Sequence, residues 1–385
     1  MMASPRVLFV NHTATMAGAE LVLADVVASW RGATALLFED GPLAAAMAAR
    51  GLSVERARAG ASLSGLRRDS PALGALPLAG RLAGLVLEIA RRARRHDVVY
   101  ANSQKAFVLA AVATALARRP LIWHLHDIVD AHHFGRAQRR LQVGLANARA
   151  SRVIAPSGAV AEAFAAAGGR PDLVALVPNG LDLVPDPRPR PELRRALGLP
   201  DGPLVGVFSR LAPWKGQHVL LRALAAHPGV GAVVAGAALF GEDAYARDLA
   251  RMAGELGLAG RVHFLGHRDD VPRLMQAMDA VVHPSIHPEP FGRTLVEAML
   301  AGVPVVATRT GAAAEILDEG RAGTLVPPGD PAALAAAIGR VLAGREGTAA
   351  TVAAARERAR RLYPADRMRE AIAGVIDRVA REARP

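Results

Sequence analysis

The chain of 385 residues contains no cysteine. This excludes a disulfide framework, a thiolate metal site and a thiol nucleophile. Aromatic residues make up only 4% of the chain although 51% is hydrophobic, so the apolar content is mostly Ala, Val and Leu, as in well-covered α/β cores. Lysine is scarce too: among 47 basic residues only Lys105 and Lys215 are lysines. No export signal is expected, because Met1 to Pro5 leads into the apolar run Val7 to Val10 without a charged start or a cleavable stretch. The longest nearly apolar stretch, Ala72 to Ala90, is broken by Pro77, Arg81 and Glu88, which are costly inside a bilayer. A cytoplasmic location is therefore expected.

Several common signatures are missing. The turn after the first run, Asn11 to Glu20, has no G-x-G-x-x-G for close approach of a pyrophosphate, which counts against a nicotinamide enzyme. G-x-x-x-x-G-K-[ST], H-E-x-x-H and G-x-S-x-G are absent as well, removing support for an ATPase, a metalloprotease or a serine hydrolase.

A chain of this length predicts two domains of roughly 100–200 residues each. Short apolar runs alternate with helical patterns: Arg6–Val10, Ala35–Phe38, Asp97–Tyr100, Leu121–Trp123, Arg152–Ile154 and Leu173–Val177, then Leu204–Phe208, Gly231–Ala235, Arg261–Leu265, Ala280–His283, Val303–Ala307 and Gly323–Val326. This alternation indicates βαβ units and parallel sheets. Between the two sets lies the Pro-rich stretch Val184 to Pro191, read as a semi-rigid linker. The expected organisation is an N-terminal Rossmann-like domain over 1–184, a hinge over 185–200, a C-terminal Rossmann-like domain over 201–364 and a helical segment over 365–385. That last segment either stays solvated or packs back across the hinge. Ligands of open parallel sheets bind beyond the carboxyl ends of strands, so those edges are where chemistry is expected.

The net charge is +12, with 21 basic and 13 acidic residues up to Val184 and 26 and 22 after it. Such an excess attracts anions of any kind or merely reflects an Arg-rich composition. No nucleic-acid partner is expected. Within Leu78 to His96, Leu82, Leu85, Val86 and Ile89 stand beside Arg91, Arg92, Arg94 and Arg95, the pattern of either a peripheral helix on an anionic membrane or a core helix with a solvated basic end.

Two segments carry the candidate chemistry. The run Leu204–Phe208 enters Ser209-Arg-Leu-Ala-Pro-Trp-Lys-Gly216, which places Arg210 and Lys215 in one strand-to-helix loop where two cations can clamp a diphosphate. The segment His283 to Gly302 leaves a buried strand and turns into a helix near Gly292, whose start suits a phosphate. Glu289 precedes that helix, and Glu297 lies inside it by roughly 7 Å at about 1.5 Å per residue. One carboxylate can then reach sugar hydroxyls and the other a ribose.

The spacing Glu289 to Glu297 resembles the E-x7-E signature of the retaining glycosyltransferases of family 4, which have the two-domain GT-B fold. The Arg210–Lys215 loop resembles that family's R-x4-K clamp, and Val177-Pro-Asn-Gly-Leu-Asp182 its V-P-N-G-[IV]-D element. The resemblance covers essentially the whole chain. It implies two Rossmann-like domains facing a central cleft. It also implies transfer of a hexose-type sugar from a UDP- or GDP-sugar to a hydroxyl of a glycan, glycolipid or small molecule, without metal or cofactor. Carried over by position, Arg210 and Lys215 bind the diphosphate, Glu289 the sugar, Glu297 the ribose, and Phe291, Gly292, Thr294 and Leu295 line the donor. His126 in Pro120 to Asp127 matches the cleft histidine, with His124 as competitor. Gly18 lies in Ala17-Gly-Ala-Glu20, where Ala17 departs from a G-G-A-E loop, and Gly311 to Glu315 departs from G-G-x-P-E. The alternatives are a GT-B sugar-nucleotide epimerase and a non-catalytic sugar-nucleotide-binding protein. The oligomeric state is left open.

Overall fold

The computed structural model describes residues 4–28, 30, 33–58, 75–239, 241–344 and 348–383, with the side chains of 75–78 outside the description. The chain divides into two compact units, Met1–Gly180 with Ala365–Pro385, and Leu181–Pro364.

The first unit runs β1 (Val7–Asn11), α1 (Gly18–Val27), β2 (Thr34–Leu37), α2 (Pro42–Ala48), β3 (Ser53–Arg56), α3 (Ala75–Ala93), β4 (Val98–Ala101), α4 (Gln104–Ala117), β5 (Leu121–His124), α5 (Arg136–Arg149), β6 (Ala150–Ala155), α6 (Gly158–Ala166) and β7 (Val174–Leu176). Its strands form one parallel sheet in the order β3-β2-β1-β4-β5-β6-β7. β1, β4 and β5 are buried throughout, as covered parallel strands must be. The sequence offered no apolar run for β3, because this edge strand, Ser-Val-Glu-Arg, exposes both ends.

The second unit runs α7 (Arg190–Ala196), β8 (Leu204–Phe208), α8 (Gln217–Leu224), β9 (Gly231–Ala235), α9 (Asp243–Glu255), β10 (Val262–Gly266), α10 (Val271–Gln276), β11 (Ala280–His283), α11 (Arg293–Ala301), β12 (Val305–Thr308), α12 (Ala313–Ile316), β13 (Thr324–Val326), α13 (Pro331–Leu342) and α14 (Thr348–Leu362). Its parallel sheet has the order β10-β9-β8-β11-β12-β13. A final helix, α15 (Ala365–Glu382), belongs to the first unit. It buries Met368, Ile372, Ile376 and Val379 against Val7, Phe9 and Val22. Each such side chain contributes roughly 1.5–3 kcal/mol when fully buried, and their i, i+4, i+8, i+11 spacing puts all four on one face.

The stretch 185–200, read as a semi-rigid linker, packs on the second unit. Asp186 accepts from Arg273 Nε at 2.9 Å, and its N–H donates to Gln276 Oε1 at 2.8 Å. Pro191 is tolerated in the first turn of α7, and the buried Arg194 donates to Ala277 O at 2.8 Å and Asp279 Oδ2 at 2.7 Å. Of the two readings of Leu78 to His96, the packing of α3 matches the core helix: Leu85 and Ile89 are buried, and Leu82 and Val86 pack against the same core.

Candidate functional site

In both sheets the strand order reverses once, between β1 and β4 in the first unit and between β8 and β11 in the second. At such a switch point the loops leaving neighbouring strands diverge and open a crevice beyond their carboxyl ends. In the second unit those loops are Ser209–Gly216 and Pro284–Gly292, the two segments that carry Arg210, Lys215 and Glu289.

Contacts between the loops fix their shape. Ile286 N–H donates to Trp214 O at 2.8 Å, and Ala312 N–H, from the loop after β12, donates to Glu289 O at 3.0 Å. Gly216 has φ 71°, and a Cβ there would lie 1.9 Å from Pro284 O, so glycine is required both by conformation and by close approach. Beneath the loop, the buried Gln217 donates from Nε2 to Ser209 Oγ and Arg210 O, each at 2.9 Å.

Lys215 and Glu289, 74 residues apart, form an ion pair with Nζ to Oε1 at 2.6 Å and side chains only 13% and 7% exposed. The same Oε1 accepts from the Ser285 hydroxyl, and His283 Nε2 lies 3.1 Å from it. Burial alone would raise the carboxyl of Glu289, but Lys215 and His283 outweigh it and hold it well below the ordinary range, so it stands as the anion. Burial pulls the Lys215 ammonium down while Glu289 holds it up. Trp214 offers its ring to both cations, with the Arg210 guanidinium carbon 5.3 Å and Lys215 Nζ 4.2 Å from its centroid. Such contacts are worth about 0.5–2 kcal/mol each and keep two like charges near one another before any anion arrives.

Gly292 caps α11 with φ 81°, and Thr294 in the first turn is half-buried. Phe291 is buried edge-on to Tyr363, with centroids 5.6 Å apart. Leu295 was expected among the donor-lining residues. Its side chain is fully buried, and its N–H donates to Gly292 O at 2.9 Å within the turn that opens α11. Glu297 accepts from Arg293 Nε at 2.9 Å, one helical turn back. Burial nevertheless raises its carboxyl above the ordinary value, against the pull of Arg293.

In the first unit the two histidines separate cleanly. His124 ends β5, is fully buried and bonds the Tyr100 hydroxyl through Nδ1. His126, just past the strand, is half-buried, and its Nε2 meets Asn102 Oδ1 at 2.9 Å. Asn102 donates its amide to Ala19 O, so its Oδ1 is the acceptor and His126 carries the proton on Nε2. Burial lowers the His126 pKa to about 3, so its ring is neutral at physiological pH. Gly18 opens α1 on the surface with open space beside its Cα. Among the described residues no group of three or more His, Asp or Glu could hold a metal ion, and no helix is long and apolar enough to cross a membrane.

Residues 17–180 match the glycosyl transferase 4-like domain, and residues 189–358 match glycosyl transferases group 1. The structure also superposes on the Anabaena protein Alr3699/HepE, solved in complex with UDP-glucose, with TM-score 0.87 and 40% identity over 97% of this chain and 100% of that one. The chain belongs to the GT-B glycosyltransferases of the family 4 type. The D-inositol 3-phosphate glycosyltransferase of Mycolicibacterium gilvum is 40% identical to this glycosyltransferase over 182 residues, 46% of the chain, and the match spans only 41% of that relative's length. Sucrose-phosphate synthase from Thermosynechococcus elongatus shares the GT-B fold, with TM-score 0.80 at 20% identity over 98% of this chain and all of that one. Sequence reasoning about this glycosyltransferase passed over His283, Ser285 and Trp214. The strand-end rule would have found the first two, since they sit at the carboxyl end of β11.

Proposed function

We propose that this chain transfers a hexose-type sugar from a nucleoside diphosphate sugar to an acceptor hydroxyl, retaining the configuration at the anomeric carbon and using no metal. The observation that carries the reading is the buried Lys215–Glu289 pair at the switch point of the second unit, beside the start of α11. A UDP-sugar is the favoured donor over a GDP-sugar, because HepE, similar along its full length, binds UDP-glucose.

In the proposed reaction Arg210, Lys215 and the helix start at Thr294 hold the diphosphate and stabilise the charge that grows on it. The bond from the anomeric carbon to the diphosphate oxygen breaks, a bond to the acceptor oxygen forms on the same face, and the acceptor's proton passes to the departing phosphate oxygen. Glu289 holds the sugar hydroxyls and Glu297 the ribose. His126, neutral and with Nδ1 as its lone-pair nitrogen, orients the sugar or the acceptor.

The test is product analysis with UDP-glucose and a panel of sugar, polyol-phosphate and lipid-linked acceptors. A new glycoside of retained configuration is expected, with Arg210→Ala and Lys215→Ala each losing at least about a hundredfold in kcat/KM, the scale for removing one charge-stabilising donor. Wild-type turnover in both variants would remove the clamp assignment. A changed sugar released without acceptor would mark an epimerase, and binding without cleavage a sensor.

A peripheral contact of a cytoplasmic enzyme with the inner face of an anionic membrane would use side chains other than Leu82, Leu85, Val86 and Ile89. Leu87 on α3 and Val112 and Leu116 on α4 are 49%, 46% and 52% exposed. Arg91, Arg94, Arg95 and Arg118, on or just past the same two helices, are exposed as well, and Arg94 reaches Leu116 O at 3.4 Å to join the helices. Exposed apolar anchors together with cations suit an anionic lipid surface.

A further inference from the structure

Three donors converge on Glu289 Oε1, and one of them does more than donate. His283 ends β11 with its side chain 6% exposed. Its Nε2 lies 3.1 Å from Glu289 Oε1 and 3.4 Å from Ser285 Oγ, and its Nδ1 lies 3.3 Å from Thr294 Oγ1. The ring therefore spans the gap between the carboxylate before α11 and the hydroxyl in that helix's first turn.

We propose that His283 is a positioning residue that ties the carboxylate of Glu289 to the start of α11, setting the distance between the sugar-holding and diphosphate-holding groups. The proposal rests on reading Glu289 as the sugar ligand and the start of α11 as the diphosphate ligand. The hydrogen-bond chemistry is directional. The Ser285 hydroxyl gives its proton to Glu289, so its oxygen accepts from Nε2, which carries a proton that also faces the carboxylate. The contacts of Lys215, Ser285 and His283 with the Glu289 carboxylate all fall on Oε1, which leaves Oε2 for the donor. A carboxylate bonded by Lys215 and Ser285, with the His283 imidazole packed 3.1 Å from the same oxygen, cannot rotate without breaking charge-assisted bonds, each stronger than a neutral one. The backbone reinforces this, because Thr308 Oγ1 donates to Ser285 O and lies 3.4 Å from His283 O, holding the strand end that carries the imidazole. Lys215 alone would pair with Glu289 without orienting it, since an ammonium is a point charge that rotates freely. The planar imidazole supplies the direction.

The test compares His283→Ala, His283→Gln and His283→Asn. The amide of Gln can take the place of Nε2 and reach Glu289, while that of Asn takes the place of Nδ1 and reaches only Thr294. His283→Ala is expected to lower kcat with UDP-glucose by about tenfold to a hundredfold, the scale of one hydrogen bond to a charged group, while affinity for UDP, which has no sugar, stays within about threefold. His283→Gln should recover most of the loss and His283→Asn little of it. The proposal is overturned if His283→Ala keeps wild-type kcat, if UDP affinity falls in step with kcat, or if Gln rescues no better than Asn. A donor-independent reading separates this from failure of the donor assignment. Nitrogen NMR of the ligand-free wild-type imidazole must report a proton on Nε2, and a ring protonated on Nδ1 alone overturns the proposal whatever the donor proves to be.

Discussion

The Lys215–Glu289 pair makes a quantitative prediction. Breaking a buried ion pair by removing one partner costs about 3–5 kcal/mol, because the remaining charge is left in low dielectric. Here Glu289 keeps Ser285 and His283 when Lys215 is lost, and Lys215 keeps the Trp214 ring when Glu289 is lost, so each single change belongs at the low end. Lys215→Met and Glu289→Gln are therefore each expected to cost about 3 kcal/mol, or roughly 6–12 °C in the unfolding transition of a unit of this size at about 2–4 °C per kcal/mol. The double variant carries no buried charge at this position and should lose far less than the sum, with a coupling of about 2 kcal/mol or more. The assay is thermal unfolding of the four proteins without ligand, at one pH and salt concentration. Strictly additive shifts, or single losses below about 2 °C, would refute the claim that the two charges hold one another in a dry site.

Glu297 gives the pH dependence. Burial raises its folded carboxyl pKa above the unfolded value despite Arg293, so the stability it contributes is present below the ordinary carboxylate range and lost as pH rises through the folded value. Glu297→Gln should thus melt higher than wild type at pH 7.5, with the advantage shrinking towards about pH 4, while losing uridine nucleotide affinity; a lower melting point than wild type at pH 7.5 would contradict the burial argument. On the first unit, the wild type should co-sediment with vesicles containing anionic lipid at low salt and release as ionic strength rises, and Arg94→Glu with Arg118→Glu should abolish this. Equal binding to neutral vesicles, or none to anionic ones, would dismiss the lipid surface.

Much of this was legible because it is local. The strands that lead into the donor-site loops, Leu204–Phe208 and Ala280–His283, are short, mostly apolar and buried, and such runs stand out whatever they pair with. The Arg210–Lys215 loop and the Glu289–Glu297 spacing are each contained in a single strand-to-helix connection, so their placement at strand ends follows from reading along the chain. β3 escaped notice because an edge strand needs no apolar alternation. The Pro-rich stretch was legible only in part: proline restricts the backbone, but what the restricted segment packs on depends on partners such as Gln276 and Asp279, which lie far along the sequence.

By itself, then, the sequence determined two parallel α/β units, the donor segments and the family they resemble, since period, turn residues and motif spacing are properties of neighbours in the chain. Only the tertiary structure decided what those segments touch. It placed Lys215 on Glu289 across 74 residues. It turned the apolar face of α3 inward, built 185–200 into the second unit, chose His126 over His124 as the half-exposed ring, and set His283 between Glu289 and Thr294. Each of these depends on which side chains share a buried space. That is a matter of packing between distant segments, and no pattern along the chain encodes it.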